Sequence, residues 1–157
     1  MSHKYINIYN NLIKLTRNKI LYENSTNNES FSDRLVMFFI HFAFFLKLFK
    51  NQAPKNELQD LYDFIFKQIE LSIREIGYGD ATINKKMKLY VNLMHSIINK
   101  IDEWEFMNTS QKAKFFSNFV DVNKDSTFLV NYFNKYALYL SKKSLNYFTK
   151  DVISLKF

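Results

Sequence analysis

Three histidines, His3, His41 and His95, are the only neutral metal ligands in this 157-residue chain, and it contains no cysteine. None of the three has a second ligand at metal-binding spacing. There is no His-Glu-x-x-His and no Glu-x-x-His pair of the kind that holds di-iron centres in helical bundles. Without thiols there is no zinc-thiolate site, no thiolate nucleophile and no disulfide framework, which fits a reducing compartment. No Walker-type phosphate loop is present. Gly77-Tyr78-Gly79 lacks the third glycine and the preceding strand of a dinucleotide fingerprint. Residue types and spacing therefore point away from catalysis, and no metal, cofactor or small-molecule substrate is expected.

The elements that carry these residues read as helices. Only two glycines and one proline punctuate the chain, so long stretches contain nothing that breaks a helix. Tyr5, Ile8, Tyr9, Leu12 and Leu15 recur at helical spacing and predict a first helix over Tyr5 to Tyr22. A polar loop follows from Glu23 to Ser30, and Ser30 or Ser32 opens a second, Phe-rich helix. Pro54 separates it from a third helix, whose Leu58, Leu61, Ile65, Ile69, Ile73 and Ile76 form a stripe that ends at Gly77. A fourth helix is expected from about Asn84 to Trp104. Shorter helices follow, one capped by Thr109 or Ser110, one by Asp125 or Ser126, and a last piece over Leu145 to Val152. After Ile76 a glycine can take the left-handed conformation that closes a helix. A second glycine then lets the chain turn again before Asp80 or Thr82 caps the next helix. The expected fold is all-α: a single-domain bundle of about six or seven helices over residues 1–157.

Size and composition support such a core. A chain of this length buries roughly 70% of the surface it exposes when unfolded, and 17 Phe and 10 Tyr supply large apolar area. The longest apolar run, Leu35 to Leu46, is interrupted by His41. It falls short of the roughly 20 residues needed to span a bilayer and reads as a buried core helix. The first eleven residues lack the pattern of a secretory signal, so the chain reads as mature and cytoplasmic. A net charge of +7 favours acidic partners, whether RNA, an anionic membrane surface or an acidic protein face, without choosing among them. A lysine-rich, solvated surface explains it equally well.

Several segments carry a family resemblance. Asp63-Phe64-Ile65-Phe66, Glu70, Arg74-Glu75-Ile76-Gly77-Tyr78-Gly79-Asp80 and Asn84-Lys85-Lys86-Met87-Lys88, with Arg34 and His41 upstream, resemble the signature of the ubiquinol-cytochrome c chaperones. The similarity covers roughly Tyr5 to Ile98. The chain departs from the family pattern at Glu29 and Asp33, before Arg34, and in Leu93-Met94-His95-Ser96. The resemblance implies a non-enzymatic assembly factor of bacterial type. Such a factor holds newly made cytochrome b during biogenesis of the ubiquinol-cytochrome c oxidoreductase. A ribosome or rRNA contact, a small partner protein and a peripheral place at the inner membrane go with the same reading.

Within that resemblance Arg34, His41, Glu70, Arg74, Glu75 and Asp80 are the polar residues expected to make the bundle specific. One reading is structural: Arg74 bonds Asp80 or helix-end carbonyls across the turn, Glu70 holds Arg34, and His41 is a satisfied core histidine. The other makes Gly77, Tyr78, Gly79 and the lysines Lys85, Lys86 and Lys88 a docking edge for a client or the ribosome. Two further functions compete with the chaperone: a quinone or lipid carrier with an apolar tunnel between helix two and helices three and four, and a basic RNA-binding protein.

Overall fold

The stripes are realised as six α-helices in a computed structural model that describes residues 2–22, 31–120 and 126–149, with no strand among them. They are α1 (Ser2–Thr16), α2 (Phe31–Phe49), α3 (Lys55–Ile76), α4 (Asp80–Ile101), α5 (Thr109–Phe119) and α6 (Thr127–Ser141). Short 3₁₀ turns lie at Lys19–Tyr22, Trp104–Phe106 and Leu145–Thr149.

α2 occupies the centre because it is apolar around nearly its whole circumference: Leu35, every residue from Met37 to Phe45, and Phe49 are buried. α1, α4 and α6 pack directly on it. Rings set the registers between helices. Tyr9 of α1 meets Phe38 edge-on at 5.7 Å, and Phe66 of α3 stacks on Phe39 at 5.6 Å. Phe133 of α6 stacks on Phe44 at 5.4 Å and on Phe116 of α5 at 5.3 Å. The C-terminal turn closes back onto α1, where the Asn7 and Asn11 side chains donate to the carbonyls of Thr149 and Phe148. Phe148 fills the space beside Phe45 and Phe49.

Helix ends differ from the expectation in instructive ways. α1 stops at Thr16, not Tyr22: the Asn18 side chain accepts from the Ile20 N–H at 3.2 Å, and this local bond competes with the helical ladder. α4 begins at Asp80, earlier than Asn84. Its N-cap is Gly79, with no side-chain cap, so neither Asp80 nor Thr82 caps it. α4 also ends at Ile101, and Trp104 belongs to the following 3₁₀ turn. α5 is capped by Asn108, not Thr109 or Ser110, through a reciprocal capping box with Gln111. Ser126 holds the N-cap position of α6, but its hydroxyl donates to the Ala113 carbonyl and so ties α6 to α5. Ser30, Asp125 and the stretch beyond Thr149 lie outside the described residues.

Candidate functional site

The connection between α3 and α4 shows how each turn residue is used. Gly77 closes α3 at φ 106°, ψ 13°, with its N–H on the Arg74 carbonyl at 3.0 Å. A side chain there would be strained. Gly79 is different. Its φ of −75° is open to any residue, and a Cβ would meet nothing within 4 Å.

Arg74 lies in the last turn of α3 and Asp80 in the first turn of α4, each favoured by the dipole of its own helix. The Arg74 guanidinium donates to Asp80 Oδ1 at 2.6 Å across the turn. The Asp80 carboxylate holds the guanidinium above its ordinary pKa. Both side chains are in solvent, so the pair orients the two helix ends more than it stabilises them.

Around this hairpin end Ile76 (55% exposed), Tyr78 and Leu71 leave large apolar surface open. Lys86 Nζ stands 4.7 Å over the Tyr78 ring. Lys85 and Lys88 are exposed on α4, and Leu89, one turn beyond Lys85, is exposed as well. Glu75 is exposed on the last turn of α3.

His41 sits in a different world. It is fully buried, with Nδ1 2.7 Å from the Met37 carbonyl and Nε2 2.9 Å from the Tyr132 hydroxyl. A carbonyl can only accept, so Nδ1 carries the proton and Nε2 accepts from Tyr132. Burial lowers the imidazole pKa to about 4, with the Met37 bond acting in the opposite direction. The ring is neutral under ordinary conditions. Phe133 and Tyr136 enclose it at 4.8 and 5.0 Å, and the Tyr136 hydroxyl donates to the His41 carbonyl at 3.0 Å. Burial raises both tyrosines, which stay protonated.

The expected polar set is therefore not one network. Arg74 meets Asp80, but Glu70 pairs with Lys67 at 3.0 Å rather than with Arg34. Lys67 is one turn away on the same helix, whereas Arg34 opens toward a cleft of ≈ 300 Å³ between α1, α2 and α3. Sequence reasoning missed that cleft. It also missed Tyr132 and Tyr136 as partners of His41. The available signal was their chemistry: two tyrosines one turn apart on a core stripe need acceptors that phenylalanines would not. Between α2 and the α3–α4 pair, where a quinone or lipid carrier would need an apolar tunnel, Phe42 stacks on Tyr62 and Met94 and Ile97 are fully buried. A depression of ≈ 330 Å³ lined by Leu46, Tyr62, His95 and Ile98 is open to solvent.

Among the described residues no three potential metal ligands cluster, and no helix is long and apolar enough to cross a membrane. No curated protein and no solved structure matches the chain. The family model for the ubiquinol-cytochrome c chaperones matches residues 23–113, more than half of the chain. The matched segment starts after the expected Tyr5, and it runs past Ile98 through the Trp104 turn into α5. It contains α2, the α3–α4 hairpin, and Arg34, His41, Glu70, Arg74, Glu75 and Asp80. By that match the chain belongs to the ubiquinol-cytochrome c chaperone family.

Proposed function

We propose that this chaperone binds newly made cytochrome b during assembly of the ubiquinol-cytochrome c oxidoreductase, using the end of the α3–α4 hairpin as its docking edge. The observation that carries the reading is the family match over residues 23–113, which contains the whole hairpin. The chemistry of the edge supports it. Ile76, Tyr78, Leu71 and Leu89 offer apolar area, and Lys85, Lys86 and Lys88 offer positive charge. An unassembled membrane protein presents apolar helix surface beside charged loops, and a mixed patch of this kind meets both. A chaperone of this kind works without catalysis. The same basic charge suits an anionic membrane surface or rRNA where the client emerges.

The test is crosslinking in a lysate that is making cytochrome b, with photoreactive side chains at Tyr78 and Leu89. Adducts with cytochrome b at these positions, and few from positions on α6, are the expected result. Deleting the protein should lower assembled complex and its haem signal while sparing other helical membrane proteins. Unchanged cytochrome b in the deletion strain sinks the proposal.

A further inference from the structure

We propose that the cleft between α1, α2 and α3 binds the headgroup of an anionic membrane phospholipid, with Arg17 and Arg34 holding the phosphate and the apolar floor taking the start of one acyl chain. Arg17 leaves the end of α1 and Arg34 projects from the first turns of α2, so two helices bring two guanidinium groups to one opening. Both are exposed, and neither makes an ion pair among the described residues. Among the described residues no carboxylate lines the cleft. Glu75 acts on the Tyr9 hydroxyl at its edge, but the field of Arg17 is the larger there. Guanidinium groups in such a setting suit a phosphate, which they can grip through paired N–H donors.

Charge alone would accept any anion, and the floor narrows the choice. Ile13, Leu35, Phe38 and Ile69 line it, and the last three are nearly buried. A free phosphate gains nothing from these side chains; an acyl chain does. The volume sets a further limit. At ≈ 300 Å³ the cleft is at the small end of ligand sites. It has room for a headgroup and the first carbons of a chain but not for a whole lipid. The remainder of the molecule stays in the bilayer, so the site anchors the protein to a lipid and does not carry one away.

The test is an NMR titration of the whole chain with dihexanoyl phosphatidylglycerol kept below its micelle concentration. Saturable shifts are expected at the methyl groups of Ile13, Leu35 and Ile69. Dihexanoyl phosphatidylcholine and inorganic phosphate should each bind far more weakly. The double variant Arg17→Gln/Arg34→Gln should lose roughly 30-fold in affinity, from about fivefold per arginine. Its thermal melt should be unchanged, because both residues are exposed. Lys100→Gln/Lys114→Gln/Lys135→Gln, which removes three exposed charges away from the cleft, should bind within about twofold of the parent. Phosphate binding as tightly as the lipid would reduce the site to an anion hole. Equal binding of phosphatidylcholine, an equal loss in the lysine variant, or no saturable binding would each overturn the proposal. No client is present in this assay, so it fails or succeeds independently of the cytochrome b reading.

Discussion

His41 and Arg74 are both polar residues on helices of one bundle, yet their surroundings are opposite. At His41 the imidazole, Tyr132 and Tyr136 spend their hydrogen-bonding groups on one another and on α2 carbonyls inside a shell of rings. At the α3–α4 turn Arg74 and Asp80 meet in water, and Ile76 and Tyr78 beside them face solvent. The first arrangement makes sense as a device for packing: misaligning α2 and α6 would strand buried polar groups, which is costly. The second holds little stability and leaves its side chains available. The contrast teaches that polar residues sharing one family signature divide between holding the bundle together and facing outward.

The strongest test of the contrast is Phe133→Ala. This ring is fully buried and touches His41, Phe44 and Phe116. Its loss should cost about 3–5 kcal/mol in urea unfolding. A cost under about 1 kcal/mol would mean that the α2–α6 core is not where stability resides.

Acid should find the same core. The folded imidazole titrates near 4 against an ordinary value of 6.5, so between those values the unfolded chain binds the proton and the folded chain does not. Stability is therefore full above about pH 6.5 and falls as the pH drops toward 4. His41 contributes a loss of about 3 kcal/mol over that range. Stability curves across pH should show this slope, and His41→Gln, though less stable at neutral pH, should flatten it. An equal slope in the variant would assign the acid sensitivity to other groups.

How far the sequence could be read follows the same divide. The α2 run, the Ile stripe of α3 and the end of α3 at Gly77 were legible because apolar periodicity and a helix-closing glycine are local signals. Among partnerships, Arg74 with Asp80 across the turn was legible, and the others were not. Glu70 chose Lys67 over Arg34, and His41 found Tyr132, which is 91 residues away. The His41 choice depends on the docking of α6 against α2, which no local pattern encodes, and Glu70 took the nearer partner on its own helix. The caps show the same limit at short range: Asn108 took the role expected of Thr109 or Ser110, one or two residues from the expected place. The cleft at Arg17 and Arg34 needed three helices in place before it existed at all.

Smaller effects separate the two glycines. Gly77→Ala forces a side chain into φ 106° and should cost about 1 kcal/mol or more. At Gly79 the loss of a favourable N-cap residue is offset by the smaller entropy of the unfolded chain. That substitution should change stability by less than about 0.5 kcal/mol. Paired thermal melts check the difference, and equal effects would mean that the turn is held by something other than its backbone conformation.

The smallest change in stability should come with the largest change in capture. Tyr78→Ala removes a half-exposed ring whose cation contact among the described residues is Lys86, so unfolding should shift by less than about 0.5 kcal/mol. If the hairpin end is the docking edge, the same variant loses most crosslinking to cytochrome b, since exposed aromatic anchors carry a large share of interface energy. Phe106 supplies the comparison that makes the result decisive. It is 82% exposed in the Trp104 turn, so Phe106→Ala removes a second exposed ring at similar cost in stability. Capture that falls with Tyr78 and survives the loss of Phe106 places the client on the hairpin. The reverse pattern moves the docking surface to the Trp104 turn. Equal losses would mean that any exposed ring serves, and the distinction between a sealed core and one specific open edge would give way to a broadly adhesive surface.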